Sequence, residues 1–229
     1  MDLMLARVLD SPAGRGDQQT GRMSSPASPD RPGRAVRPAR TALLGAQVLL
    51  EPLTEEHLEP LRAAIGRPEV FAAGYGGGPS GLPDGAEAFR AFARAYYPWE
   101  TGNPYAVLVD GRVVGTSSLT DFDERRESAH LGWTAYAPEV WGTAVNPETK
   151  LLLLDLAFRS GFSRVKLQAD AANERSRAAI LRLGAVFEGV LRHDQRRADG
   201  SWRDTAVHSI LVEEWPAVRE GLERRIAAA

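Results

Sequence analysis

A run of small residues leads into a predicted helix at Glu139-Val140-Trp141-Gly142-Thr143-Ala144-Val145-Asn146-Pro147. Small residues let a backbone approach a ligand closely, and the free N–H groups at a helix N-terminus favour an anion. Asn146 is a suitable N-cap, and Pro147 suits the first helical position. The turn therefore fits a pyrophosphate, although Gly142 fits a simple tight turn between a strand and a helix equally well.

A second segment also leads from a predicted strand into a predicted helix. It is Asp170-Ala171-Ala172-Asn173-Glu174-Arg175-Ser176-Arg177, followed by Leu183-Gly184-Ala185-Val186-Phe187-Glu188-Gly189. Asn173 is a predicted N-cap, and Ser176 is then the third residue of the helix. By themselves these two residues need do no more than cap that helix. The predicted helix ends at Gly184, which suits a left-handed C-terminal residue.

The elements that must position these residues alternate between the periods of strands and helices. Predicted strands cover residues 47–53, 105–109, 112–119, 128–136, 163–170, 187–196 and 205–212. Predicted helices follow Thr54, run from Asp84 to Pro98, from Asn146 to Gly161 and from Asn173 to Gly184, and begin again at Pro216. Residues 67–85 are rich in Gly and Pro and are predicted to form a loop. This order predicts an α+β domain with a mixed sheet.

The first 40 residues differ from the rest of the chain, with seven arginines, four aspartates and few large apolar residues. We expect residues 1–40 to be a disordered tail and residues 41–229 to form one domain. A weak polyanion-binding arm is the functional alternative for the tail. The net charge of −2 disfavours a nucleic-acid binder. No run spans a bilayer, no signal peptide precedes the domain, and cysteine is absent, so we expect a cytoplasmic protein without a membrane partner.

From about residue 47 to 215 the sequence resembles the GNAT N-acetyltransferases, and within them the RimJ/RimL branch. The resemblance rests on Trp-Gly-Thr, Asn-Glu-Arg-Ser-Arg-Ala-Ala-Ile, Leu-Gly-Ala and Phe-Glu-Gly-Val-Leu-Arg, which occur in this order. It implies a mixed, mostly antiparallel sheet flanked by helices and splayed between the strands at 128–136 and 163–170, with acetyl-CoA in the cleft and no metal. The residues implied to contact acetyl-CoA are Thr134, Tyr136, Trp141, Gly142, Thr143, Ala144, Val145, Asn146, Asn173, Ser176 and Arg177. Glu139 departs from the family, which has Gln or Arg there.

The implied chemistry is attack of a primary amine on a thioester through a tetrahedral intermediate. A protonated amine cannot attack, so a base or a water chain must accept a proton. Glu127 is the base that we predict, while Asp121, Asp123, Glu188 and His130 remain candidates by position. His130 fits an ordinary strand side chain equally well. Ser176 is predicted to assist departure of the thiolate, and N–H groups near residues 134–136 to bind the oxyanion.

The sequence thus predicts an acetyl-CoA-dependent N-acetyltransferase. The alternative is a catalytically silent acyl-CoA-binding or regulatory module with the same fold, because a fold does not fix a function. The acceptor, either a small-molecule amine or a protein N-terminus, is not encoded in any motif. A homodimer is compatible with the sequence, which does not determine the oligomeric state.

Overall fold

Eight strands form one sheet in the computed structural model, which describes residues 34–229. They are β1 (Leu43–Leu44), β2 (Leu49–Pro52), β3 (Asn103–Val109), β4 (Arg112–Asp123), β5 (Ser128–Tyr136), β6 (Arg164–Asp170), β7 (Val186–Arg196) and β8 (Trp202–Leu211). Their order across the sheet is β1-β2-β3-β4-β5-β6-β8-β7. Asp110 and Gly111 join β3 to β4 with positive φ angles of 49° and 73°, as the predicted hairpin turn requires.

One strand pair is parallel and opens into a cleft. β5 and β6 are paired only at Ser128↔Arg164, Ala129↔Val165 and His130↔Lys166, and the two strands have no ladder beyond that point. The other neighbours in the sheet pair antiparallel. The expected mixed sheet, splayed between these two strands, is confirmed.

Helices cover both faces of the sheet. They are α1 (Leu58–Ile65), α2 (Pro68–Ala72), α3 (Gly85–Tyr96), α4 (Val145–Arg159), α5 (Glu174–Arg182) and α6 (Trp215–Ala227). The apolar residues of α4, α5 and α6 join one core cluster with Leu131 and Leu167 of the sheet. Those of α1, α2 and α3 join a second cluster with Ala106 and Ala135. Among residues 34–229, no helix is long and apolar enough to cross a membrane.

Two local predictions were wrong. Asn146 is not the cap of α4, because the helix already begins at Val145 after Ala144. Pro147 therefore occupies the third helical position, where its missing N–H is one of the donors that a first turn leaves unpaired. The predicted loop at 67–85 contains α2, which begins at Pro68, and two short 3-10 turns.

The segment 34–40 packs on the domain. Ala35 is fully buried, and the N–H of Val36 donates to the carbonyl of Ser160 at 2.9 Å. The Arg37 guanidinium donates to the carbonyls of Glu100 and Gly102 at 3.0 and 2.8 Å. The predicted disorder is therefore wrong for these seven residues, because they satisfy backbone groups of the domain. Residues 1–33 lie outside the described residues, and for them the tail remains a prediction.

Candidate active site

The cleft between β5 and β6 widens into a cavity of about 640 Å³. Its walls come from the C-terminal halves of these two strands, the start of α4, the helix α5, the loop after α2 and the hairpin of β7 and β8. The Gly-rich loop and the hairpin meet across the opening, where the N–H of Ala198 donates to the carbonyl of Gly77 at 3.2 Å. The cavity is thus shaped by segments that are distant in sequence.

The turn into α4 presents backbone to the cavity. Gly142 has a φ of +83°, a conformation that favours glycine, and a Cβ at this position would meet no atom within 4 Å. The space beside the backbone is therefore open, as an entering phosphate requires. The indole nitrogen of Trp141 donates to the carbonyl of Tyr136 at 2.9 Å and fixes the turn to the end of β5. Donors at the start of a 15-residue helix complete an arrangement that fits an anion.

Position 139, where the family has Gln or Arg, carries a glutamate in this chain. Glu139 is exposed and paired with Arg67, whose hydrogen bond lowers the pKa of this carboxyl. Its charge is therefore compensated, and its side chain does not line the cavity. Arg175 does line the cavity, and its guanidinium stacks over the Trp141 ring at 3.8 Å from the centroid. Arg175 of α5 thus supplies a positive charge beside the turn into α4.

The start of α5 lies on the same wall. The side chain of Asn173 accepts the backbone N–H of Ser176 at 2.9 Å, which is the predicted cap. The Asn173 amide also donates to the carbonyl of Ala73 and so connects α5 to the loop after α2. The Ser176 side chain lines the cavity, and its hydroxyl makes no hydrogen bond to another of the described residues. That hydroxyl is free to serve a ligand.

A β-bulge in β5 lines the cavity. Thr116 pairs with Ala135 and Ser118 with Gly132, so Trp133 and Thr134 together oppose the single residue Ser117. Trp133 has a φ of +48°, and the extra residue of a bulge leaves backbone groups without ladder partners. The bulge lies at one edge of the segment 134–136 for which an oxyanion donor is predicted.

A buried lysine supports this bulge from the α4 side. The Lys150 amine donates to the Thr134 hydroxyl at 2.5 Å and to the Ser117 hydroxyl at 3.1 Å. Burial lowers the pKa of Lys150 to about 7, because a low-dielectric environment disfavours the ammonium form. At neutral pH a large part of this side chain is therefore an uncharged amine beside the bulge.

A histidine and a carboxylate form a pair on the α3 side. His130 Nδ1 lies 3.0 Å from Asp121 Oδ2, and the side chain of His130 is 3% exposed. Its Nε2 atom is buried and has no hydrogen-bond partner among the described residues. Burial lowers the pKa of His130, opposed by the bond to Asp121, so the ring is neutral at pH 7. A Cβ at Gly132 would lie 2.9 Å from Nε2, which shows how closely the strand passes this atom.

Most predicted contact residues line one cavity. They are Thr134, Tyr136, Trp141, Gly142, Thr143, Asn146, Asn173 and Ser176. Three others do not. Ala144 and Val145 are buried, and Arg177 donates to the carbonyl of Ala171 with its guanidinium near the Phe187 ring. Glu127 precedes β5 at the end where β5 and β6 are paired, and does not line the cavity.

His130 was predicted only as one of several candidate bases, and Lys150 was not predicted to belong to the site. Position 130 alternates with core residues in a strand, and only the fold shows that Asp121 of the neighbouring strand orients its ring. Lys150 lies between Glu148 and a run of leucines, where one lysine resembles a solvated side chain. A lysine immediately before four consecutive leucines was an available signal, since it fits a helix with little exposed surface.

Comparisons with known proteins agree with this geometry. Residues 47–186 match the family model for the acetyltransferase (GNAT) domain. A Bacillus subtilis (strain 168) protein named "Putative ribosomal N-acetyltransferase YdaF" is 30% identical over 176 residues, covering 73% of this chain and 91% of that protein. A GCN5-related N-acetyltransferase from Brucella melitensis has a TM-score of 0.76 at 25% identity, covering 83% of this chain and 87% of that one. RimJ of Mycobacterium smegmatis, solved with CoA-disulfide, has a TM-score of 0.61 at 20% identity, covering 79% and 88%.

The splayed sheet and the turn into α4 are those of an acetyl-transferring enzyme. The chain belongs to the GNAT acetyltransferase family, whose members use acetyl-CoA. The name of the Bacillus relative and the fold shared with RimJ support the RimJ/RimL-like branch.

Proposed function

We propose that this protein transfers the acetyl group of acetyl-CoA to a primary amine by direct attack in the cleft between β5 and β6. The observation that carries the proposal is the open backbone turn at Gly142, at the start of α4, which shares one cavity with the free Ser176 hydroxyl. The turn binds the pyrophosphate through backbone donors, and Arg175 adds a positive charge beside it. Asn173 binds the pantetheine arm once its amide leaves the carbonyl of Ala73.

His130 acts as the general base, directly or through one water. Its neutral ring can take a proton on Nε2, and Asp121 holds the ring and stabilises the cation that forms. The amine nitrogen bonds to the carbonyl carbon to give a tetrahedral oxyanion, and collapse of this intermediate re-forms the carbonyl and breaks the carbon–sulfur bond. Glu127, the base predicted from sequence, stands outside the cavity, which is why we propose His130 in its place.

Two further groups act on the charges that develop during transfer. Backbone N–H groups at the Trp133–Thr134 bulge bind the oxyanion. Lys150 holds Thr134 in place by donating a hydrogen bond to its hydroxyl. The Ser176 hydroxyl donates a hydrogen bond to the departing sulfur, through which the thiolate gains its proton from solvent. No covalent enzyme nucleophile is needed.

A protein N-terminus is the acceptor class suggested by the name of the Bacillus relative, and a small-molecule amine is the alternative. A cytoplasmic location belongs to the same proposal. The competing function is a catalytically silent acyl-CoA-binding module, favoured by no feature of the cleft. Release of free CoA distinguishes the two. The enzyme should release CoA thiol from acetyl-CoA in proportion to an added amine, with the acetylated amine detected by mass. Tight acetyl-CoA binding without amine-dependent release across a broad amine panel would support the silent module instead.

A further inference from the structure

The cavity carries more positive than negative charge. Apart from His130 and Lys150, whose amine is in large part uncharged at neutral pH, its charged lining residues are Arg175, Arg182, Arg203, Arg225 and Asp170. The single carboxylate among them is already paired, because Arg197 donates to Asp170 Oδ2 from Nε at 2.9 Å and from Nη2 at 2.6 Å. The cations of the cavity are therefore available to negative groups of ligands.

Three of the arginines belong to the wall formed by α5 and α6. Arg175 stands over Trp141 beside the phosphate turn, and Arg225 donates to the carbonyl of Arg182 at 3.2 Å. This wall suits the phosphates of acetyl-CoA. Arg203 lies elsewhere, on β8, where its backbone pairs with Gln195 of β7. It is two residues beyond Thr205, the last residue of β8 that pairs with β6. Arg203 is thus separate from the α5–α6 wall that suits the phosphates.

Arg203 has few partners of its own. Its Nη1 atom donates to Gln195 Oε1 at 3.4 Å, and its Nε atom is buried without a hydrogen-bond partner. It takes part in none of the ion pairs among residues 34–229. A guanidinium has five N–H donors, and a buried donor left unpaired is costly. A planar anion such as a carboxylate would satisfy two of these donors at once.

Arg203 shares the cavity with aromatic side chains that lead to the proposed base. Tyr96 of α3 and Arg203 of β8 both line this cavity. The Tyr96 ring lies 6.4 Å from the Trp133 ring, and Trp133 lies 5.4 Å from His130. Both aromatic rings line the cavity. An acceptor in this part of the cavity would have His130 near its amine and Arg203 farther out.

We propose that Arg203, assisted by Gln195, binds a carboxylate carried by the acceptor, so that the preferred substrates are amines bearing an acidic group. This inference rests on the proposed acetyl transfer and specifies its acceptor. The carboxylate belongs either to a free amino acid or to an acidic residue near a peptide N-terminus, since both present the same group. Arg203 is in either case a specificity-determining residue.

Matched acceptors that differ only in one charge test the inference. One pair is β-alanine and β-alaninamide, and the other is two tetrapeptides that begin Ser-Glu and Ser-Gln. CoA release is followed for the wild type, Arg203→Gln, Arg203→Lys and the control Arg192→Gln, which changes an exposed arginine on β7 outside the cavity. Acetyl-CoA affinity and thermal melting are measured on the same preparations.

We expect the wild type to favour the acidic member of at least one pair by about 10-fold or more in kcat/KM, as for a charged hydrogen bond. Arg203→Gln should remove this preference through KM while acetyl-CoA affinity stays within about twofold, and Arg203→Lys should keep part of it. Arg192→Gln should behave as the wild type. The inference about Arg203 would be overturned, and the proposed function left standing, by either of two results. One is equal kcat/KM of the wild type for both members of each pair, and the other is an equal loss of kcat/KM for both members in Arg203→Gln. No CoA release with any amine would instead overturn the proposed function, and the inference with it.

Discussion

His130 Nδ1 lies 3.0 Å from Asp121 Oδ2, while the other nitrogen of the same ring is buried beside the cavity without a protein partner in the described part of the chain. The pair connects neighbouring strands, since Asp121 is on β4 and His130 on β5. One nitrogen is thus fixed by a carboxylate and the other is left for a substrate. This is the geometry of an oriented base.

We predict that His130→Gln lowers kcat by about 10²- to 10⁴-fold, the usual contribution of a general base, with little change in acetyl-CoA affinity. In the wild type, kcat/KM should fall as the pH drops through a pKa below 6.5, because the protonated ring accepts no proton. Asp121→Asn removes a bond that raises this pKa, so the acidic limb should move to lower pH. Asp123→Asn, on the same strand, is the control. A pH profile unchanged in both His130→Gln and Asp121→Asn would contradict the base assignment.

Gly142→Glu should weaken acetyl-CoA binding by about 100-fold or more, because a carboxylate would enter the open space beside the turn and repel phosphate. Calorimetry on the folded variant measures the affinity. Gly111→Ala introduces a Cβ at a similar positive φ in the β3–β4 turn, and should affect stability by about 1 kcal/mol without affecting binding. Equal affinities in Gly142→Glu and wild type would place the phosphates elsewhere.

Ser176→Ala should lower kcat by about 10²-fold and leave acetyl-CoA affinity nearly unchanged, because the hydroxyl acts as charge develops on sulfur. The cap of α5 should survive, since Asn173 accepts the backbone N–H of Ser176 and not its hydroxyl. Asn173→Ala is the comparison and should reduce stability by about 1 kcal/mol. Melting and turnover measured together test this. A kcat within about twofold of wild type would assign the proton transfer to another group.

Removal of residues 1–33 should leave melting and turnover unchanged, whereas removal of residues 1–40 should lower stability by about 2 kcal/mol or more. The longer deletion exposes the site of Ala35 and leaves the carbonyls of Ser160 and Gly102 without their donors. Urea unfolding of both shortened chains decides the point. Identical midpoints for the two would show that segment 34–40 contributes nothing.

Lys150 should make stability depend on pH. Its pKa is about 7 in the folded protein and near 10.4 in the unfolded chain, so above pH 7 the unfolded state binds the extra proton. The free-energy cost of burying the charged Lys150 amine is fully present below pH 7. The free energy of unfolding should therefore rise from pH 7 to pH 9. Lys150→Met should be more stable than wild type at pH 7 and show a smaller rise. Urea unfolding at three pH values measures both slopes.

The predicted rise in stability ends at pH 9 because burial also raises the pKa of the five tyrosines. These side chains ionise first in the unfolded chain, which would lower stability above that pH. Lys150→Met with the same slope as wild type would show that this lysine remains charged in the folded state.

The alternation of apolar residues predicted the strands well, and the resemblance of the motifs indicated the splay between β5 and β6. Glycines with positive φ after α4 and α5, Gly161 and Gly184, confirm the predicted helix ends. The register of β4 against β5 was not predictable, because the bulge at Trp133 shifts it without a sequence signal of its own. That shift decides which groups face the cavity.

Contacts between distant segments account for the other errors. The pairing of Arg67 with Glu139 spans 72 positions and that of His130 with Asp121 crosses two strands, so neither follows from local spacing. The order in segment 34–40 was missed for the same reason. A stretch rich in Arg and Pro has few apolar residues to bury. Arg37 nevertheless donates to the carbonyls of Glu100 and Gly102, which lie 63 and 65 positions later in the sequence.

The short ladder between β5 and β6 places two strand edges in the interior of a sheet. Edges usually lie at the margins, where bare N–H and C=O groups invite pairing with another chain and are shielded against it. Here the loop at residues 74–78 contacts the turn at Ala198, beside the same cavity. A ligand with amides of its own could add to either edge as a short strand would. The gap in the sheet is thus a template for an extended molecule that carries amides of its own.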